Sequence, residues 1–360
     1  MEVIRGLGLG GAEALLTQRL VREVADGTSS DRTVVNTAPH EAHYESQLQR
    51  HGLRVLSTSS NLFIGGVQAV VIVRRSASTL PIVVHSPGPA FFLKLAWAAG
   101  LVRSPIVQVI HTSRWRAAYR VAARLSDRFA AGAICVGREV QSAPTSRNFR
   151  RTVVVHGGVD VDAMVKFIRA KPDFKRDFRA TLGLDDATPL LCAVGTLTEN
   201  KGHLNLVKAL AVSNTAAHLV IAGDGPMRAT IEAAIDELGL KSRVHLMGRV
   251  SPGWTVMTAS DALCHASLRE GLPVVLMEAQ ALGLPIIATA FAGAAEARDV
   301  GDGRIEIVPV GDTDALADAI SRVSRLGEAN HALLQLSTTY WSVSRYAAEF
   351  ASAVTALTHP

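Results

Sequence analysis

The chain has 360 residues, of which 48% are hydrophobic and 5% aromatic, and it carries a net charge of +5. A single hydrophobic core rarely grows past about 250–300 residues, so this length predicts two domains. The high apolar content excludes a disordered chain. A basic charge can favour nucleic acid, an anionic membrane or an acidic substrate, but the few aromatic residues and the lack of a recognisable nucleic-acid motif argue against nucleic acid.

Three cysteines, Cys135, Cys192 and Cys264, lie far apart in apolar, strand-like runs. This spacing predicts buried thiols rather than disulfides or a metal site. The chain starts without a signal peptide, and its most apolar region, Pro89 to Ile110, is interrupted by charged residues and a proline. We therefore expect a cytoplasmic protein without a membrane-spanning segment.

A glycine-rich stretch follows a short first strand at Val3-Ile4. Gly6, Gly8 and Gly11 satisfy the pattern G-x-G-x-x-G, and a helical pattern of leucines and valines comes next. Strand, glycine loop and helix form the layout of a turn that approaches phosphate. A tight turn without a ligand is the simpler alternative, because such turns are common after strands.

Strands and helices then alternate with short connections, which predicts a parallel sheet covered by helices on both faces. We predict strands at Thr33–Val35, Arg54–Leu56, Ile82–His85, Ile106–Ile110, Ala133–Val136 and Thr152–Val155, and helices at Glu41–Arg50, Ile64–Arg75, Pro89–Ala99 and Trp115–Phe129.

Two histidines, His85 and His111, fall at predicted strand ends, where open α/β sheets bind their ligands. A structural role is the simpler interpretation of each. The helix after His111 carries Arg120, Arg124 and Arg128 at intervals of four, preceded by two further arginines at positions 114 and 116. This spacing predicts one basic stripe, which is either a solvated face or a patch for anionic lipid or a phosphorylated acceptor.

The second half repeats the alternation. We predict strands at Leu190–Val194, His218–Ala222, Arg243–Met247, Ala262–His265, Ile286–Ala288 and Ile305–Val308, helices at Pro226–Leu238 and Thr313–Ser324, a turn at Gly293–Glu296 and a terminal helix at Trp341–Leu357. After the first of these strands, Lys201 stands at a helix start, where the helix dipole disfavours a cation. A bound phosphate would explain this placement.

The most informative stretch is 267–279, which contains Glu270 in a predicted loop and Glu278 in a predicted helix. Pro273 suits the first helical position, and Gly283 with Pro285 would close the helix. No Ser, Thr, Asp or Asn caps its start, so the first amide groups and the positive dipole end are available to an anion. Two carboxylates beside an anion site suit a ligand with hydroxyls at both ends and phosphate in the middle, as in a sugar nucleotide.

This stretch resembles the E-x7-E signature of the retaining GT-B glycosyltransferases of glycosyltransferase family 4. The resemblance implies that Glu270 faces the transferred sugar and that Glu278 holds the nucleotide ribose. It implies that Lys201 clamps the donor diphosphate, while Thr196 stands where the family usually has a second cation, an arginine. The amides of Gly271 and Leu272, which lead into the helix, would bind the phosphate.

Further positions follow from the same resemblance. Gly10 and Gly11 belong to a loop that approaches the donor phosphates or the acceptor, His111 matches a strand-end histidine near the donor sugar, and Gly248 ends the strand that backs the nucleotide base. The implied fold is GT-B, with two Rossmann-like doubly wound domains, 1–158 and 159–340, facing a cleft. A terminal helix in 341–360 would cross back to the N-terminal domain.

The resulting hypothesis is a retaining glycosyltransferase that uses a nucleoside-diphosphate sugar and a glycan, lipid-linked or small-molecule acceptor. It predicts no cofactor besides the donor and no metal, because no Asp-x-Asp motif is suitably placed, and it predicts contact with the anionic inner membrane face. One alternative is an NAD(P)-dependent oxidoreductase, although Asn36 and Thr37 provide no acid after the second strand. Another is a non-catalytic protein that binds sugar nucleotides, given Thr196.

Overall fold

The computed structural model describes residues 1–8, 10–28, 32–39, 43–76, 79–112, 117–301, 304–324 and 340–359. The chain divides into two compact units, one formed by residues 1–158 with 343–360 and the other by residues 159–342. None of the described helices is both long and apolar enough to cross a membrane.

The described part of the first unit contains a seven-stranded parallel sheet in the order β3-β2-β1-β4-β5-β6-β7. The strands are β1 (Glu2–Ile4), β2 (Thr33–Asn36), β3 (Arg54–Ser57), β4 (Ile82–Val84), β5 (Ile106–Ile110), β6 (Gly132–Cys135) and β7 (Thr152–Val154). The helices are α1 (Gly11–Ala25), α2 (Glu45–Arg50), α3 (Leu62–Arg75), α4 (Pro87–Ala98), α5 (Ala117–Ser126), α6 (Arg138–Ser142) and the terminal α15 (Val343–Thr358). Helix α15 packs against α1, β5 and β6.

The described part of the second unit contains a six-stranded parallel sheet in the order β10-β9-β8-β11-β12-β13. The strands are β8 (Leu190–Val194), β9 (His218–Ala222), β10 (Val244–Gly248), β11 (Ala262–His265), β12 (Ile286–Thr289) and β13 (Ile305–Val308). The helices are α7 (Val161–Ala170), α8 (Phe174–Thr181), α9 (His203–Val212), α10 (Arg228–Glu237), α11 (Trp254–Ala259), α12 (Val274–Ala281), α13 (Ala292–Val300) and α14 (Thr313–Ser324).

Both sheets have the doubly wound α/β arrangement that the alternating pattern predicts, so the predicted fold class of two Rossmann-like domains is confirmed. In the second unit, Leu191 and Ile221 of the sheet pack with Leu206 and Leu210 of α9, and each is at most 1% exposed. Strands that are covered on both faces need apolar residues at consecutive positions, which is why these segments are continuous hydrophobic runs. All three cysteines are buried and unbridged, as predicted.

The structure corrects three local predictions. Helix α10 begins at Arg228 rather than at Pro226, because the preceding residues form a loop in which Met227 donates its amide to the Leu197 carbonyl. Pro273 has an extended backbone and lies just before α12 instead of inside it. The segment 293–296 is part of α13 and not a turn. The predicted helix at 41–50 and the one at 115–129 begin outside the described residues.

Candidate functional site

Two loops follow the central strands of the second unit. β8 and β11 are neighbours, and from them the chain continues to opposite sides of the sheet, through β9 and through β12. Such a reversal of strand order leaves a crevice beyond the carboxyl ends of the two strands, where open α/β sheets bind their ligands. The loop after β8 comprises residues 195–202, and the loop after β11 comprises residues 266–273.

Hydrogen bonds hold these two loops together. The Leu268 amide donates to the Asn200 carbonyl at 2.8 Å, and the Asn200 side chain donates to the Arg269 carbonyl at 2.9 Å. Gly202 has a φ of +67°, and a Cβ at this position would lie 2.0 Å from the Ala266 carbonyl oxygen. Only glycine therefore allows this close approach with this backbone conformation.

The bonded loops bring Lys201 and Glu270 into contact. Lys201 Nζ lies 2.5 Å from Glu270 Oε1, and the Ser267 hydroxyl donates to the same carboxyl oxygen at 3.3 Å. The Lys201 and Glu270 side chains remain 25% and 19% exposed, respectively. A ligand can therefore reach both groups, and an anionic ligand would compete with Glu270 for the ammonium.

Two histidines that the sequence analysis did not select surround Lys201. His203 begins α9 and His265 ends β11, and both are buried. His203 Nδ1 and His265 Nε2 have no hydrogen-bond partner among the described residues. Burial and the Lys201 charge lower the pKa of His203 to about 4 and hold the pKa of His265 well below its ordinary value, so both rings are neutral acceptors or donors beside the cation. Their positions, at a strand end and a helix start, were the available signal.

The loop after β11 leads into α12 without a side-chain cap. Pro273 makes no capping hydrogen bond, so the positive end of α12 lacks a side-chain acceptor there. The backbone of α13 packs directly against Gly271, since a Cβ at Gly293 would lie 1.3 Å from the Gly271 carbonyl oxygen. Leu272 is buried and anchors the loop.

Glu278 lies on α12, one and a half turns from the site loops, and its side chain is partly buried. Its carboxyl group forms no hydrogen bond or ion pair with another described residue. Burial raises the pKa of Glu278 from its ordinary 4.5 to about 8. A carboxyl group that is held without partners is available to a ligand hydroxyl.

We expect Glu278→Gln to change how stability depends on pH. Folded Glu278 keeps its proton up to about pH 8, whereas unfolded Glu278 loses it near pH 4.5. The free energy of unfolding of the wild type, relative to Glu278→Gln, should therefore fall between these values by on the order of 4 kcal/mol. Denaturant unfolding at pH 5 and at pH 8 measures this difference. For the control Glu232→Gln, at an exposed carboxylate on α10, the difference in stability from the wild type should be the same at both pH values. If the difference for Glu278→Gln were also independent of pH, the raised pKa of Glu278 would be contradicted.

The remaining predicted positions of the second unit also lie at the carboxyl ends of its strands. Thr196 is exposed in the loop after β8 and supplies a hydroxyl but no charge. Gly248 ends the edge strand β10 with a φ of +68°, a conformation that strains any other residue. Among the described residues, no group of three or more His, Cys, Asp or Glu side chains is placed to hold a metal ion.

Gly10, Gly11 and His111 belong to the first unit, and their predicted roles stay predictions. Gly10 precedes α1 and Gly11 begins it, and a Cβ at Gly10 would lie 2.1 Å from the Glu13 carboxyl. A carboxylate suits this helix start electrostatically and would compete with a phosphate. His111 directly follows β5 and is partly buried beside His85.

Residues 174–335, which contain both site loops and α12, match the family described as glycosyl transferases group 1. This segment is therefore similar to that family, and the match covers less than half of the chain. Across 164 residues the chain is 30% identical to the N-acetyl-alpha-D-glucosaminyl L-malate synthase of Bacillus anthracis, which covers 44% of this chain and 43% of that protein. Across 133 residues it is 30% identical to the lipopolysaccharide glucosyltransferase WaaG of Escherichia coli, which covers 36% of this chain and 35% of that protein. The chain thus matches less than half the length of these curated relatives.

The glycosyltransferase fold extends over the whole chain. The Anabaena protein HepE, solved in complex with UDP, superposes with a TM-score of 0.82 at 21% identity and covers 99% of both chains. Identity this low establishes the fold alone. Each unit therefore has the same fold as its counterpart in that solved protein, while the family match lies within the second unit.

Proposed function

We propose that the protein is a retaining, metal-independent glycosyltransferase that moves a sugar from a nucleoside-diphosphate sugar to a glycan, lipid-linked or small-molecule acceptor. The observation that carries this proposal is the contact between Lys201 and Glu270, at 2.5 Å beyond the ends of β8 and β11. This contact supports the proposal, because an ammonium group suits a phosphate and the neighbouring carboxylate suits sugar hydroxyls. The match of this segment to the group 1 family supports the same chemistry.

Each group has a role that follows from its charge. Negative charge develops on the leaving diphosphate during transfer, and fixed positive charge at that position lowers the barrier. Lys201 supplies this charge, with help from the amides at Gly271 and Leu272 and from the positive end of α12. Glu270 orients the sugar hydroxyls, and Glu278 binds the ribose hydroxyls. The donor phosphate itself accepts the acceptor proton, so no separate base is assigned.

A nucleotide titration tests this proposal. The structural neighbour HepE was solved with UDP and with UDP-glucose, so a uridine donor is the first candidate. We expect one of UDP, GDP or ADP, or its sugar, to bind and to raise the free energy of unfolding by about 2.7 kcal/mol at a hundredfold excess over Kd. Calorimetry and thermal unfolding measure both effects. Failure of all these nucleotides and nucleotide sugars to bind would refute the proposal, whereas binding without transfer would favour a non-catalytic protein.

The oxidoreductase alternative is less well supported by the first unit. The Asn36 side chain, at the end of β2, accepts from the Gly6 amide at 3.1 Å and from the Ala38 amide at 3.0 Å. Asn36 is completely buried, and its side-chain oxygen already accepts two amides of the neighbouring loops. It is also an amide and not the carboxylate that would hold an adenosine ribose. NAD(P) in the same titration serves as the discriminating ligand.

We also propose that the first unit contacts the anionic inner face of a cytoplasmic membrane, which would suit a lipid-linked acceptor. Arg120, Arg124 and Arg128 are all exposed, as are the neighbouring Val121 and Leu125 at 58% and 59%. Arg120 and Arg124 lie on α5 with the two apolar residues, whereas α5 ends at Ser126 and Arg128 lies in the 3₁₀ turn that follows, so the predicted helical stripe is shorter than expected. Basic and apolar side chains that are exposed together favour an anionic bilayer surface. The two arginines at 114 and 116 lie outside the described residues.

Replacing Arg120, Arg124 and Arg128 together by glutamine should reduce binding to anionic vesicles by about 10², since each basic residue near the surface contributes about 1 kcal/mol. Vesicle flotation with and without anionic lipid measures this loss. The matched control replaces three exposed arginines of the second unit, Arg176, Arg298 and Arg322. The proposed contact would be contradicted if the two triple variants bound anionic vesicles equally well. It would also be contradicted if the wild type bound neutral and anionic vesicles equally well.

A further inference from the structure

Three hydrogen-bonded side chains link neighbouring strands of the first unit. Glu2 comes from β1, His85 follows β4 and His111 follows β5, and these three strands are neighbours in the sheet. Glu2 Oε2 lies 2.9 Å from His85 Nε2, and His85 Nδ1 lies 3.3 Å from His111 Nε2. Glu2 and His85 are 1% and 6% exposed, respectively, so water does not substitute for these contacts.

Glu2 is an obligatory acceptor in this chain. Burial alone would raise the pKa of its carboxyl group, but Arg19 at 2.9 Å and Arg32 at 3.1 Å, with the bond from His85, hold that pKa well below its ordinary value. An ionised carboxylate has no proton to donate. His85 must therefore donate from Nε2.

The proton of His85 determines the next contact. Burial lowers the pKa of His85 despite the opposing effect of Glu2, so the ring is neutral and carries its single proton on Nε2. Its Nδ1 then has a lone pair and accepts from His111 Nε2. Burial lowers the pKa of His111 to about 3, so this ring is also neutral at pH 7.

We propose that Glu2 and His85 are positioning residues that fix His111 in the tautomer protonated at Nε2, so that its Nδ1 presents a neutral acceptor to a sugar hydroxyl. This inference rests on the proposed glycosyl transfer and specifies what His111 contributes to it. His111 Nδ1 has no hydrogen bond with a described residue, so it is available to a ligand. An acceptor nitrogen suits a hydroxyl group and repels a phosphate oxygen, which assigns His111 to the sugar rather than to the diphosphate.

The variants have to preserve the buried charges around Glu2. Removing Glu2 would leave Arg19, which is completely buried, without one of its two carboxylate partners, so substitutions at Glu2 risk misfolding. His85→Phe instead removes the acceptor for His111 and retains an aromatic ring against Phe350. His85→Gln is the conservative variant, because its amide can donate to Glu2 and its carbonyl oxygen can accept from His111.

The test is side-chain nitrogen NMR of the full chain labelled with ¹⁵N-histidine, with His111→Gln to assign the signal. The wild type and His85→Gln should show the Nε2-protonated tautomer of His111 at neutral pH, and folded His85→Phe should show a mixture of tautomers. His218→Phe is the matched control, since it breaks the similar His218–His245 contact of 3.1 Å in the second unit. It should leave the His111 signal unchanged.

The Nδ1-protonated tautomer or an imidazolium in the wild type would overturn the inference, as would an unchanged His111 signal in folded His85→Phe. Should His85→Phe not fold, the wild-type tautomer still decides. In the transfer assay we expect kcat/KM to fall about three- to tenfold in His85→Phe and to recover in His85→Gln. Because the NMR readout needs no activity, a wrong tautomer refutes this inference alone, whereas absence of transfer by the wild type refutes the proposed function.

Discussion

Lys201→Met is expected to lower kcat/KM for sugar transfer by about 10²–10³. Methionine keeps much of the length of the side chain but removes the charge that, in the proposed mechanism, stabilises the developing negative charge of the leaving diphosphate. The loss should appear mainly in kcat, because stabilisation of the leaving group matters most in the transition state. Steady-state kinetics with the donor identified by titration measures the effect, and thermal unfolding checks that the variant is folded.

Lys241→Met is the matched control for this charge removal. Lys241 lies in the same unit and also contacts a carboxylate, Asp236 at 3.1 Å, but its side chain is 73% exposed. An exposed ion pair contributes little to stability, so this variant should retain transfer within about twofold of the wild type. If Lys201→Met kept a rate similar to that of Lys241→Met, Lys201 would not be the phosphate-facing cation.

Gly293→Ala is expected to lower kcat/KM by about 10², although residue 293 carries no functional group. The new Cβ would lie 1.3 Å from the Gly271 carbonyl oxygen and 2.4 Å from its carbonyl carbon, which are backbone atoms that cannot rotate away. The loop between Glu270 and α12 must therefore move, and a displacement of about 1 Å at a binding loop can cost 10² in rate. The same crowding should lower the free energy of unfolding by about 1–3 kcal/mol.

Kinetics well below the unfolding temperature separate these two effects. Ala292→Ser, at the exposed first residue of α13, is the control for a small side-chain enlargement in the same helix. It should change neither the rate nor the stability appreciably. A Gly293→Ala protein that is destabilised but keeps full donor affinity and rate would show that the Gly271–Leu272 loop is not part of the donor site.

Much of the fold was accessible from local patterns. The strands Leu190–Val194, His218–Ala222 and Ala262–His265 have the predicted bounds, because each is an apolar run that ends at residues unsuited to a buried strand. The start of α10 was predicted wrongly, because good turn chemistry at Asp224 and Pro226 looked like a helix start. The bonds between that turn and Leu197, which shift the start to Arg228, join residues far apart in sequence.

Some residues of the candidate site could likewise be predicted from local sequence, and others could not. Its acids and its lysine could be selected by spacing and residue type alone, whereas His203, His265 and Gly293 could not. The only signal for the histidines was their position at a helix start and a strand end, which many structural histidines share, and a glycine in a helix has no distinctive pattern along the chain. They acquire a role only through what they touch, which is Lys201 for the histidines and Gly271 for the glycine.

By itself, the sequence determined that the chain forms two doubly wound α/β domains and that the second carries Lys201, Glu270 and Glu278 near strand and helix ends. These properties depend on residues that are close along the chain. Only the tertiary structure decided that Lys201 contacts Glu270, that Glu278 is held without a partner and that two loops 69 residues apart are bonded through Asn200. The physical reason is that contact distances, burial and the resulting pKa values arise from packing between distant segments, which no local pattern specifies.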